Sequence, residues 1–436
     1  MNNQCDHSPA AELNPNVRGL KPSATVAINE RSNQLIAEGR KIYKLGLGQS
    51  PFPVPDCVVA ELQRQAHQKD YLPVRGLPAL REAVADHHRR FYGIECSARN
   101  VIVGPGSKEL MFLLQLVYNG ELIIPTPAWV SYEPQARIIG REVRLVQTTM
   151  EAGYQITAAQ LEGICAEDPN RPRILVLNDP SNPTGRTYSK AELQAIADVA
   201  HKYRVVVLSD EIYGKLHHEG EHVSIVPMYP EGTIFSGGLS KWCGAGGWRL
   251  GVFVVPDCMT WLLDAMAAVA SETFTSTCAP IQYAAVTAFK KSMEIRAYLK
   301  HCRRVLKALG NRLADDLRAA DVDVLSPEGG FYLFPDFSKH AATLAKIGIT
   351  TSAEFCERLL NDSGVAVLPG GDFGRPAEEL TARLAYVNFD GRAALDAAIE
   401  FEDDQPLDAA FLEEYCPEPI EAVRLMCVWL AKNLAV

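Results

Sequence analysis

The sequence contains no apolar run approaching the roughly 18 residues that cross a bilayer; even Trp261-Leu262-Leu263 meets Asp264 at once. The opening Met1-Asn2-Asn3-Gln4-Cys5-Asp6 is neither basic nor apolar, so no secretory signal is expected. Positive charge is in deficit: 43 Lys and Arg face 53 Asp and Glu, a net charge of −10. That balance argues against a nucleic-acid or anionic-membrane partner. The eleven cysteines are odd in number and include no Cys-x-x-Cys pair, which disfavours a disulfide framework or a zinc ribbon and predicts reduced thiols in a cytoplasmic protein. Internal repeats and low-complexity segments are absent. A Walker loop is missing too, since Gly214-Lys215 is followed by Leu216, and no full Gly-x-Gly-x-x-Gly follows a strand. His218-Glu219-Gly220-Glu221-His222 matches a zinc-protease motif in letters only. That chemistry needs both histidines on one helix face, and Gly220 interrupts any such helix.

What is present is a chain of 436 residues, 47% apolar, enough for about two or three domains. Up to about Glu38 it is polar and broken by Pro15, Gly19 and Pro22, which predicts an arm over the body. A helix is expected from Leu77 to Tyr92. Seven short apolar segments follow: Asn100–Gly104, Leu122–Pro125, Val143–Gln147, Ile174–Leu177, Arg204–Leu208, Thr233–Ser236 and Leu250–Val255. Helices separate several of them, among them Ser107–Val117 and Ala191–Tyr203, the latter opened by the capping box Ser189/Glu192. Strands without polar alternation suit a mostly parallel sheet buried on both faces, with ligands gathering at its carboxyl ends. A long basic helix (Ile295–Leu317), Phe331–Phe334, Val365–Leu368 and Arg383–Val387 predict a smaller α+β domain. The acidic run Glu400–Asp404 reads as a solvated turn before a last helix. The division expected is an arm with part of the small domain over residues 1–50, a large domain over 51–290 and a small domain over 291–436.

Five segments are candidates for chemistry. Gly104-Pro105-Gly106-Ser107-Lys108 joins a strand to a helix, as a phosphate cradle or a simple reversal. Asn182-Pro183-Thr184-Gly185 is either a turn or a rigid mount for the asparagine amide. In Ser209-Asp210-Glu211-Ile212-Tyr213 a carboxylate at the tip of a buried strand calls for a cation, unless the turn is solvated. Ser236-Gly237-Gly238-Leu239-Ser240-Lys241, continuing to Gly246-Gly247-Trp248-Arg249-Leu250-Gly251, sets one lysine among glycines and tryptophans. There desolvation would leave it nucleophilic towards an aldehyde, and Arg249 offers a fork to phosphate or carboxylate. Thr381-Ala382-Arg383 places an arginine at the start of an apolar strand, a snorkelling edge or a carboxylate clamp.

In order, these segments resemble the class I/II aminotransferases, the fold-type-I enzymes that use pyridoxal 5′-phosphate, from about Leu45 to about Asp390. The resemblance implies a seven-stranded, mostly parallel sheet flanked by helices. It also implies that Lys241 carries the cofactor as an aldimine and that Asp210 pairs with the pyridine nitrogen. On the same basis Tyr213 and Asn182 meet the ring's phenolic oxygen, Trp129 stacks on the ring, and Gly106, Ser107, Lys108, Ser240 and Arg249 surround the phosphate. Arg383 and Gly48 would bind the substrate α-carboxylate beside Asn182 and Trp129. Tyr71, in Asp70-Tyr71-Leu72-Pro73-Val74-Arg75-Gly76, resembles a tyrosine that reaches a neighbouring subunit's phosphate, which implies a homodimer with shared sites. The implied reaction is amino transfer between an L-amino acid and a 2-oxo acid by a ping-pong route; the alternative is a lyase or synthase on the same scaffold. Two departures stand out. Gly238 occupies the position where some relatives carry a phosphate-binding serine, leaving open whether Ser236 or Ser240 compensates. The chain also runs on past Arg383 to Val436.

Overall fold

A computed structural model describes residues 13–401 and 405–435. Its centre is a seven-stranded sheet in the spatial order Val101–Gly104, Gly251–Val254, Thr233–Gly238, Val206–Asp210, Arg173–Asn178, Glu121–Thr126, Val143–Gln147. Only Gly251–Val254 runs antiparallel to its neighbours; the other pairings are parallel. The parallel expectation holds because the interior strands carry apolar residues on both faces: every residue of Val206–Asp210 and Thr233–Gly238 is buried. One face packs Leu110, Leu114, Leu262 and Met266 against Ile124, Val176 and Leu208. The other packs Leu161, Leu193 and Ile196 against Ile123, Leu175 and Val207.

The capping box forms as expected. Ser189 accepts from the Glu192 N–H, Glu192 accepts from the Ser189 N–H, and the helix runs Lys190–Tyr203. The long helix spans Met293–Ala319 and buries Ile295, Cys302, Leu306, Leu309, Leu313 and Leu317 along one stripe, the 3.6-residue period of an amphipathic helix. Near it lie a parallel pair, Tyr43–Lys44 with Val365–Ala366, and a three-stranded antiparallel sheet of Leu368–Pro369, Ala382–Ala385 and Tyr332–Leu333. The expected strand Val365–Leu368 is thus divided between two sheets.

The N-terminal segment contains an element that the sequence did not signal. Within the expected arm, residues Ala24–Ala37 form a helix that was not anticipated, because the breakers end at Pro22 and none interrupts the next fourteen residues. The last helix, Pro417–Leu434, is tied down where the Trp429 indole N–H donates to Asp362 at 2.9 Å and its ring meets Phe355. Of the acidic run, Glu402–Asp404 lie outside the described residues. Among those described, no helix is long and apolar enough to cross a membrane, and ten cysteines are free thiols.

Candidate active site

The parallel strands aim their carboxyl ends at one cavity of about 350 Å³. Asp210 closes the strand Val206–Asp210, Asn178 closes its neighbour, and Lys241 follows the end of Thr233–Gly238 by three residues. The strands therefore carry distant residues to one wall. Ser107, Lys108, Trp129, Asn182, Asp210, Tyr213, Ser240, Lys241, Arg249, Arg383 and Gly48 all line this space, and Gly106 sits directly behind Ser107. Tyr71 does not join them: it is 89% exposed on the outer surface of its own chain.

Lys241 stands in the cavity and donates from Nζ to the Gly48 carbonyl at 2.6 Å. Its ammonium lies 5.6 Å from the Tyr213 ring centroid and 5.8 Å from that of Phe331. Burial, reinforced by the positive charge of Arg383, pushes its pKa down to about 8, against the pull of Asp210. A free amine is thus within reach near neutrality. Trp242, the next residue in the chain, does not flank this amine: its indole lies 3.8 Å beneath Lys215.

Asp210 is 3% exposed. Burial lifts its carboxyl to about 6, against hydrogen bonds from the Tyr132 hydroxyl, the Ile212 N–H and the Ser236 hydroxyl. Tyr132 donates to Oδ2 at 2.6 Å and Ser236 to Oδ1 at 3.4 Å. Ser236 is fully buried against the acid, whereas Ser240 lines the cavity.

The turn before Ser107–Val117 leaves an open helix start beside a guanidinium. Gly106 caps this helix at φ +96° with no side-chain cap, so the first N–H groups have no side-chain acceptor and keep their dipole. A Cβ at Gly106 would overlap the Arg249 guanidinium, and one at Gly251 would overlap the Ser107 nitrogen. Arg249 Nη1 donates to Gly246 O at 3.0 Å and Nη2 to Pro105 O at 3.3 Å, which sets its fork beside the helix start. Lys108 lies 5.0 Å over the Trp129 ring.

At the opposite end Arg383 is 1% exposed. It donates to Asn182 Oδ1 at 3.2 Å and to the Gly46 carbonyl, and lies against the rings of Tyr332 and Phe373 at 4.9 and 5.2 Å. Its Nε has no partner, an unmet donor beside the cavity. The Tyr213 hydroxyl meets that of Tyr332 at 2.7 Å, and a Cβ at Gly48 would overlap the Tyr332 hydroxyl.

Tyr132 and Tyr332 are among the cavity residues that sequence reasoning missed, with Thr25, Gln49 and Asn178. The available signal for Tyr132 was its place three residues after Trp129; for Tyr332 it was its place in Phe331–Phe334, a segment read only as part of the smaller domain. The zinc-like motif holds no metal geometry. His218 bonds the Pro327 and Gly330 carbonyls and His222 bonds Glu211. Among the described residues no cluster of three potential ligands exists.

A depressed amine, a buried acid, an anion cradle and a buried guanidinium around one cavity define equipment for chemistry on amino and 2-oxo acids. The model of the family "Aminotransferase class I and II" matches residues 40–388. Aspartate aminotransferase of Bacillus sp. (strain YM-2) is 34% identical over 382 residues, 85% of this chain and 93% of that one. Asparagine–oxo-acid transaminase of Streptococcus mutans is 33% identical, covering 86% and 94%. The solved aspartate aminotransferase from Thermus thermophilus with maleate superposes with a TM-score of 0.79 at 33% identity, covering 89% of this chain and 98% of that chain. This chain belongs to the class I and II aminotransferases, and its activity is that of an aminotransferase.

Proposed function

We propose that the chain is a pyridoxal 5′-phosphate enzyme that moves an amino group between an L-amino acid and a 2-oxo acid by a ping-pong route. The observation carrying this reading is the Lys241 amine and the Asp210 carboxyl facing one cavity between the Gly106–Ser107–Arg249 cradle and Arg383. The residues fit the cofactor: the uncapped helix start and Arg249 suit its phosphate. Asp210, costly to ionise alone, suits a protonated ring nitrogen. Trp129 offers a flat face, and Tyr213 and Asn182 offer polar atoms to its oxygen.

Bound there, the cofactor supplies an aldehyde for an amine and a conjugated ring that accepts the electron pair released at the substrate Cα. Asp210 would pair with the ring nitrogen and keep it protonated. Lys241, unprotonated in part near neutral pH, would take the substrate Cα proton onto Nζ and hold it for return. Arg383 and Asn182 fix the α-carboxylate, and thereby the direction of the breaking C–H bond. Ser107, Ser240, Arg249 and Lys108 hold the phosphate end. The exposed Tyr71 serves the partner's cavity in a cytoplasmic homodimer, and the chain divides into an arm with part of the small domain (1–50), a large domain (51–290) and a small domain (291–436).

Lys241→Ala tests the reading. It should abolish turnover and the visible absorbance of lysine-bound cofactor, and borohydride treatment should leave no adduct for mass spectrometry to find. Aspartate, asparagine and prephenate, drawn from the names of similar enzymes, make the first substrate panel. Conversion of the cofactor to its amine form by amino acid alone is the expected result, and release of ammonia would point to a lyase instead.

A further inference from the structure

A second cavity, about 420 Å³ in volume, opens on the far side of the segment that carries Asp210 and Tyr213. Its walls include Lys215, Lys290, Lys291, Arg296 and Arg303, and no Asp or Glu. None of these five cations forms a salt bridge among the described residues, although most other arginines of the chain do. Concentrating them is costly in a chain of net charge −10, where carboxylates are plentiful enough to have neutralised each one. Lys290, Lys291 and Arg296 are exposed at the mouth, while Lys215 and Arg303 are half-buried.

Two groups inside point the same way. Lys215 rests on the Trp242 ring at 3.8 Å and near Phe289 at 5.3 Å, with no carboxylate to pair with. Burial pushes its ammonium down to about 7, so the site lacks the negative charge that would hold it protonated. His222 also lines the cavity and its side chain is only 7% exposed. Its Nε2 meets Glu211 at 2.8 Å, while Nδ1 is buried with no partner. Burial works against its charged form, but the Glu211 carboxylate outweighs it and raises the imidazole pKa. The unpaired Nδ1 is a buried polar atom whose hydrogen-bonding capacity is unmet by the protein.

We propose that this cavity binds a small polyanion, a molecule carrying two or more phosphate groups, at a site separate from the catalytic one. Its volume falls within the range of small-molecule pockets, about 300–1,000 Å³, and the two arginine forks with three ammonium groups suit phosphate oxygens. Gly220 bears on the fit: a Cβ there would come 3.0 Å from the Arg303 guanidinium, so glycine leaves that fork room. Lys215 follows Tyr213 by two residues and His222 bonds Glu211, so an occupant touches the same chain segment as the active site without entering it.

Calorimetric titration of the cofactor-loaded enzyme with inorganic pyrophosphate at low ionic strength tests the assignment. The variants are Lys291→Gln/Arg296→Gln, Arg303→Gln, and a control, Lys346→Gln/Lys432→Gln, which removes two exposed charges elsewhere. Binding should weaken by about tenfold or more in the first two variants, as expected for loss of a charge-assisted contact, and match wild type in the control. Melting curves and cofactor absorbance identical across all four establish that folding and the catalytic site are intact. Absence of binding to wild type, or equal affinity in pocket and control variants, overturns the proposal. Failure here leaves the aminotransferase reading untouched, since the cofactor spectrum is read in the same samples.

Discussion

Tyr132→Phe isolates one hydrogen bond and predicts a pH-dependent loss of stability. The hydroxyl donates to Asp210 at 2.6 Å and works against the burial that lifts this carboxyl to about 6. A hydrogen bond to a charged group contributes about 1.5–3 kcal/mol, and one pKa unit corresponds to about 1.4 kcal/mol. Removing the hydroxyl should therefore raise the Asp210 pKa by roughly one to two units further. A carboxyl whose folded pKa exceeds its unfolded value binds its proton more tightly in the native state, so it favours folding at low pH and opposes it once ionised. The variant enlarges that opposition only where Asp210 is charged. In cofactor-free protein its melting temperature should lie below wild type at about pH 8, and the gap should shrink as pH falls through 6 and close near pH 5. Melting followed by circular dichroism in buffers across that range reads the effect directly. A gap of constant size from pH 5 to 8 would refute the argument, because a packing defect has no reason to titrate.

Other expectations concern the two poles of the cavity and its neighbour. Gly106→Ala places a Cβ at φ +96° against Arg249; cofactor affinity should drop by about tenfold or more, with the far-ultraviolet spectrum unchanged. Arg383→Lys loses the fork, so KM for the amino donor should rise by about tenfold or more while cofactor absorbance stays normal; an unchanged KM would remove Arg383 from substrate binding. Mixed dimers of a Tyr71→Ala chain with a Lys241→Ala chain should regain activity that neither parent has, since one cavity then receives an intact lysine and an intact partner tyrosine. Failure to regain it, or a monomer in solution, would refute the shared site.

The sheet was legible because a parallel strand buried on both faces must be apolar throughout, and Ile174–Leu177 and Arg204–Leu208 announce themselves that way. Strand ends shifted by a residue or two, since polar terminal residues such as Asn178 and Asp210 still pair in the ladder. The helix Ala24–Ala37 was missed because it buries only Ser32 and Leu35, too few to print an apolar stripe. Lys241, Asp210 and Arg383 could be singled out since charged residues beside buried strands are conspicuous. Tyr132 and Tyr332 could not: their hydroxyls find partners 78 and 119 positions away, and both otherwise pass for core aromatics. Trp242 shows the opposite error, for adjacency to Lys241 in sequence did not put its ring against that amine.

The short stretch Leu45–Gln49 reaches both poles at once. The Gly46 carbonyl accepts from Arg383 and, two residues on, the Gly48 carbonyl accepts from Lys241. Behind it, a Cβ at Gly46 would press 2.7 Å from Ile28, so the helix Ala24–Ala37 acts as a backstop for this rail. Lesions on the Ile28 side of that helix should therefore degrade substrate capture and proton movement together, so that KM rises while kcat falls.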